Sequence, residues 1–216
     1  MNDKELRQNV IDELEFEPSI DAADIGVAAE NGVVTLSGHV SSYMQKISAE
    51  RAAWRVKGVK AIAQEIEVRL PWDKKVHDDE IAKRAIDILA WNTLVPDNSI
   101  KVLVRDGFVT LSGQVDWNYQ REAAAREVQK LNGVRGLVNN ITLMPNAQKV
   151  DIRQRVLDAL KRHAEVEANR INVDVDSGGS VKLSGVVDDW EERQAVERAV
   201  WSAPGVRSVV DNLRID

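Results

Sequence analysis

Leu6, Val10 and Leu14 recur every four residues with charged or amide side chains between them, the spacing of one buried helical face. The period then changes. Ile25, Val27 and Ala29 alternate with outward positions, which predicts a half-buried strand, and the run stops at Asn31-Gly32, a dipeptide that tolerates the positive φ of a tight hairpin. A second alternating run returns through Val34, Leu36, Gly38 and Val40. Ser42-x-x-Gln45 predicts the cap of a second helix with Ala49, Ala53 and Val56 inward, and Gly58-Val59 ends it. Ile62, Ile66 and Val68 predict a third strand.

The whole pattern occurs three times. "GVVTLSGHV" at 32–40 returns as "GFVTLSGQV" at 107–115 and "GSVKLSGVV" at 179–187. Around these lie helix faces at Ile81, Ala85 and Leu89, strands at Ile100, Val102 and Val104 or Ile171, Val173 and Val175, and Gly-Val stops at Gly133-Val134 and Gly205-Val206. The first offset is 75 residues throughout, and the second changes from 71 to 72 within "DSGG", where Gly178-Gly179 is the expected two-residue turn. Such self-similarity predicts three copies of one supersecondary unit, over 1–70, 76–145 and 148–216. The expected class is α+β: tandem α-β-β-α-β domains, each a three-stranded mixed sheet with both helices packed on one face.

A serine precedes a glycine in every copy, at Ser37, Ser112 and Ser184. Alternation places Val34, Leu36 and Gly38 toward the core and Thr35 and Ser37 on the wetter face. A nucleophilic serine needs a base and an oxyanion hole at a strand-to-helix elbow, and a strand of this kind offers neither. The serine is read as a strand position and not as a catalyst. The following glycine is expected to leave space for a helix or to mark a strand bend.

Composition narrows the chemistry further. The formal net charge of -6 over 216 residues argues against general nucleic-acid binding, which needs a basic surface. The absence of Cys excludes disulfides, thiol nucleophiles and thiolate metal sites. His39, His77 and His163 fall at unrelated repeat positions, so no repeated metal or general-base site is expected, and no cofactor. No stretch reaches the roughly 18 apolar residues of a spanning helix. The first residues lack the apolar run of a secretory signal, so the expectation is a soluble cytoplasmic protein, or a periplasmic one if a signal has been removed.

The element order together with G-x-V-x-L-S-G-x-V, the Gly-Val stop and the closing apolar strand resembles the BON domain family, three times over and across nearly the whole chain. The resemblance implies a non-catalytic binding module associated with phospholipid membranes, envelope maintenance and osmotic stress, in some members with chaperone-like behaviour. The family's hallmark glycines map onto Gly38, Gly58, Gly113, Gly133, Gly185 and Gly205, all structural positions. Many relatives are exported or lipid-anchored; without an apolar run in its first residues or any Cys, export and lipidation are not the expectation for this chain.

Two residue classes are candidates for contact. Of six Trp, Trp54 and Trp201 share one repeat position, Trp117 and Trp190 lie near the start of second helices, Trp91 follows the first helix of the middle repeat and Trp72 sits in a linker. Basic residues recur on the second helix as Arg51, Arg126 and Arg198. Charge is uneven: residues 1–71 carry 8 basic and 12 acidic groups, 72–146 carry 10 and 10, and 147–216 carry 11 and 13. The middle repeat is therefore the expected contact with an anionic phospholipid surface or with protein clients, through Trp91, Leu94 and Val95 beside Arg121, Arg126 or Lys130. A structural scaffold or self-associating adaptor is the alternative.

Overall fold

The computed structural model describes residues 2–71, 76–144, 151–162 and 168–215. The first repeat runs α1 (Asp3–Phe16), β1 (Ile25–Glu30), β2 (Val33–Val40), α2 (Tyr43–Arg55) and β3 (Ala61–Val68). Its opening helix starts on a reciprocal cap: Asn2 Oδ1 accepts from the Glu5 N–H at 2.9 Å, and the Glu5 carboxylate accepts from the Asn2 N–H at 3.2 Å. Ser42 caps α2 by accepting from the Gln45 N–H. The central strand β2 pairs antiparallel with β1 and, after the crossover through α2, parallel with β3. Leu6, Val10 and Leu14 of α1 and Ala49, Ala52 and Ala53 of α2 join Val34, Leu36, Val40 and Ile66 in one core cluster, so both helices lie on the same sheet face. Small residues on α2 let that helix sit close to the sheet, and the larger aliphatics come from α1 and the strands.

The second repeat follows with α3 (Asp78–Trp91), β4 (Ile100–Arg105), β5 (Phe108–Val115), α4 (Asn118–Val128) and β6 (Gly136–Leu143), its sheet ordered β4-β5-β6. The third has α5 (Ile152–Arg162), β7 (Ile171–Val175), β8 (Ser180–Val187), α6 (Trp190–Trp201) and β9 (Ser208–Ile215), around a core of Val156, Leu160, Val181, Leu183, Val196, Val200 and Leu213. The α+β class and three mixed three-stranded sheets are thus as the periodicity predicts. Contacts gather the chain into two compact units, Met1–Gly113 with Tyr119–Ile141, and Gln114–Asn118 with Thr142–Asp216. Within the first of these, Tyr43 at the start of α2 is half-buried and hydrogen-bonds to the Leu137 backbone of the second repeat; burial pushes its phenol pKa up.

Two expectations need correction. The glycine after the repeated serine does not make room for a helix. Gly38, Gly113 and Gly185 have φ of 103°, 143° and 134°, and a Cβ on any of them would collide with the carbonyl oxygen of Asp24, Ser99 or Arg170, the residue just before the repeat's first strand. The chain entering the sheet passes directly over this position, and only a residue without Cβ fits beneath it. The third hairpin is also not a two-residue turn. Asn31-Gly32 and Asp106-Gly107 both have positive φ, as that turn requires, but in the third repeat only Gly179 does. There the Gly179 N–H donates to the Asp176 carbonyl at 3.2 Å and the Asp176 N–H to the Ser180 carbonyl at 3.0 Å, closing a three-residue loop. The extra residue behind the altered offset is accommodated in this loop.

Candidate functional site

Helix α3 ends on Trp91, and its C-terminal half is unusually apolar for a surface helix. Ile86, Ala90 and Trp91 are all exposed, Trp91 at 88%. Beyond it, Asn92 Oδ1 accepts from the Leu94 N–H at 2.9 Å and the Asn92 carbonyl accepts from the Val95 N–H at 3.0 Å. That tight turn sends consecutive side chains in opposite directions. Leu94 faces solvent at 51% exposure, whereas Val95 is buried at 7% and belongs to the interior, so it is withdrawn as a contact residue. A turn has no hydrophobic period, so the sequence alone does not separate Val95 from Leu94.

The first repeat indicates which cation stands near this end. Arg55, two residues after Ala53 on α2, donates from Nε to Glu13 at 2.7 Å and from Nη2 to Glu17 at 3.1 Å, tying the C-terminal ends of α1 and α2 together. The Glu17 carboxyl is held below its ordinary pKa, first by the Ser19 hydroxyl and then by Arg55, and the same carboxylates raise the pKa of Arg55. In the second repeat the corresponding positions are Ile88, Asn92 and Lys130. Both acids are gone and the cation remains, now paired with Glu127 of its own helix segment at 2.9 Å. Phe16, 82% exposed, is the counterpart of Trp91, but its chain neighbours are Glu15 and Glu17 where Trp91 has Ala90 and Asn92.

The six candidate contacts therefore divide. Trp91 and Leu94 stand at the C-terminal end of α3; Lys130, just past the end of α4, holds the repeat position from which Arg55 bridges the two helix ends, and Arg126, one turn earlier, is exposed as well. Arg121 stands apart, roughly 13 Å earlier along the α4 axis, where it pairs with Glu122 at 3.4 Å and its carbonyl accepts from Asn139 Nδ2 at 3.2 Å. The remaining tryptophans have other surroundings. Trp54 and Trp201 pack half-buried against the first and third cores, Trp117 is exposed just before α4, Trp190 lies under the Arg193 guanidinium at 5.3 Å, and Trp72 is outside the described residues. Ser37 Oγ donates to the Gly26 carbonyl at 3.5 Å, a cross-strand contact within the sheet.

Two features escaped the sequence reading. Asp78, in the first turn of α3, accepts from the N–H groups of Asp106 and Gly107 at 2.7 and 2.9 Å and so fixes the β4–β5 turn against the helix. The outward face of the middle sheet is apolar, with Leu103, Phe108 and Val138 exposed. Its signal was present at the outward strand positions, where the other repeats carry Ala28, Val33 and Ala63, or Asp174, Ser180 and Val210. Among the described residues, no helix is long and apolar enough to cross a membrane.

Three copies of one α-β-β-α-β module define a tandem-repeat protein. The family model for the BON domain matches residues 2–69, 77–145 and 148–216, and the chain belongs to that family. It is 30% identical over 145 residues to "Osmotically-inducible protein Y" of Escherichia coli (strain K12), an alignment covering 65% of this chain and 72% of that protein. Among solved structures, CdsD, a structural protein of the type III secretion system of Chlamydia trachomatis, aligns over 98% of this chain and 92% of its own at 14% identity and a TM-score of 0.27. The CdsD C-terminal domain aligns over the full length of both chains at 15% identity and the same TM-score. Likeness at that level bears on neither fold nor function.

Proposed function

We propose that the protein is a non-catalytic, stress-associated binding protein whose middle repeat meets anionic phospholipid surfaces. Membership of the BON family and the likeness to an osmotically inducible protein support the stress association and the absence of catalysis. The observation that carries the lipid reading is the 88% exposed Trp91 with Leu94 at the end of α3, in a repeat whose Lys130, the counterpart of Arg55, lacks the inter-helix carboxylates that tie Arg55 down. An indole and an aliphatic side chain suit the headgroup boundary, where apolar body and polar edge are both accommodated. Each nearby cation adds about 1 kcal/mol at an anionic surface and is screened by salt, so attachment is weak, reversible and strongest at low ionic strength.

Co-sedimentation of the full chain with vesicles of graded anionic content tests this directly. Binding should rise with anionic fraction and fall with salt. Indifference to every composition, together with suppression of client aggregation in a parallel assay, would replace lipid with exposed protein surfaces as the ligand.

A further inference from the structure

Each sheet is covered by helices on one side and open on the other, and the open sides of the first two repeats differ in a complementary way. In the second repeat, alternation and the β4–β5 register place Leu103 beside Thr110 and Arg105 beside Phe108 on the open face. Leu103, Phe108 and Val138 are 61%, 56% and 50% exposed. The Phe108 ring lies across Gly136 of β6, so near that a Cβ there would come within 2.6 Å of it. Lys101 and Arg105 flank the patch, neither pairs with a carboxylate among the described residues, and no outward strand position on this face is acidic. The face is bulky, apolar and cationic.

The open face of the first repeat is the reverse. Its edge strands carry small residues, Gly26 and Ala28 on β1 and Ala61 and Ala63 on β3, on either side of a central strand with Val33, Thr35, Ser37 and His39 outward. Glu30, Glu65 and Glu67 are exposed on it, and none of its outward strand positions is Lys or Arg. Face-to-face sheets pack about 10 Å apart with side chains from both filling the gap, which large residues opposite small ones satisfy without collision. The third repeat, with Asn172, Asp174, Lys182, Asn212 and Arg214 outward, matches neither.

We infer that the open sheet of the second repeat docks on the open sheet of the first repeat in another copy of this chain. Shape and charge both favour the second copy: Leu103 and Val138, on edge strands, meet the Gly/Ala edge strands, and Lys101 and Arg105 meet Glu30 and Glu65. Because the two faces differ, the contact is head-to-tail, each molecule giving one face and receiving one. Three strands of about eight residues present on the order of 350 Å² per partner. The total is below the roughly 1,000 Å² of stable complexes, so association is weak and concentration-dependent.

Sedimentation velocity of the full chain from about 10 µM to about 1 mM, at about 20 mM and about 300 mM salt, provides the test. The wild type should sediment faster with concentration, more so at low salt. Lys101→Glu with Arg105→Glu leaves a chain with two acidic faces, and Glu30→Lys with Glu65→Lys leaves one with two basic faces. Each should stay monomeric alone, and mixing them in equal amounts should restore association, which also shows both to be folded. A concentration-independent wild type, self-association of either variant alone, or no recovery on mixing overturns the inference. So does a monomeric wild type whose Lys101→Glu, Arg105→Glu variant loses only its binding to anionic vesicles, which assigns the face to lipid.

Discussion

Replacing Gly113 by Ala adds one methyl group at a place where the backbone of the same repeat passes overhead. The residue sits at φ 143°, and the new Cβ would lie less than 3.0 Å from the Ser99 carbonyl oxygen, closer than real Cβ atoms approach. A non-glycine residue held in such a conformation costs about 1–3 kcal/mol. Relieving the collision requires Ser99 to move, and Ser99 leads directly into Ile100, whose register partner is Gly113 itself. Overpacking of this kind costs a further 1–3 kcal/mol, approximately. The combined loss of about 2–6 kcal/mol corresponds to roughly 10–50 °C in the melting of a domain of this size. Hydrogen exchange followed through a thermal ramp should show β4 and β5 losing protection early while α5 to β9 keep theirs. Gly26→Ala is the comparator: its Cβ meets only the Ser37 Oγ, at 2.8 Å, a side chain free to turn away, and the expected cost is under about 1 kcal/mol. Ser112→Ala should likewise stay within about 1 kcal/mol. A Gly113→Ala protein that melts within about 2 °C of wild type would show that the overhead carbonyl is not the constraint.

Trp91→Ala should weaken partitioning into anionic vesicles by about 2 kcal/mol, roughly thirty-fold, without moving the melt, while Phe16→Ala should change vesicle binding little. Asp78→Ala removes the acceptor for the Asp106 and Gly107 N–H groups and should destabilise the second repeat by about 1–3 kcal/mol in urea titration. Because the folded-state pKa of Glu17 is depressed, its contribution is present above the unfolded value and lost as pH falls through the folded one. The gap in melting temperature between wild type and Arg55→Ala should therefore narrow on acidification through that range. The third repeat expressed alone should melt cooperatively, whereas the first alone, deprived of the Leu137 backbone at Tyr43, should be less stable than in the full chain; a third repeat with no cooperative transition counts against autonomy.

Strand faces and helix faces were legible because both are periodic, and triplication tested each assignment against two others. Val34, Leu36, Leu111 and Leu183 needed no coordinates to be placed inward. The role of Gly38 was not legible, since what it avoids is the backbone at Asp24, and alternation describes side chains only. Leu94 and Val95 were indistinguishable for a related reason: Asn92 orients them by local hydrogen bonds that leave no period behind. Of the candidate contacts, Trp91 was recognisable as an indole where the other repeats have Phe16 and Arg162. The loss of Glu13 and Glu17 opposite Lys130 gains meaning only once Arg55 is seen bridging two helices. The apolar open sheet was written in Leu103, Phe108 and Val138, but reading for what the copies share hides what one copy changes.

The placement of β2, β5 and β8 at the centre of their sheets has a consequence for assembly of the chain. In every copy the antiparallel partner arrives through a turn of two or three residues, on the microsecond scale of hairpins, whereas the parallel partner must return across a helix. Until it does, each hairpin exposes a vacant edge that any of the three closing strands fits, since Ile62, Ile66 and Val68 differ little in kind from Val209, Leu213 and Ile215. What favours the proper strand is tether length: about 20 residues to its own closing strand against about 95 to the next, a difference of about 1.4 kcal/mol, or tenfold. That margin is narrow for a tandem array, in which exchange between neighbours is a characteristic error. Docking of α2, α4 and α6 before strand closure would widen it, because a helix already seated on its own hairpin delivers the strand that follows to the correct edge.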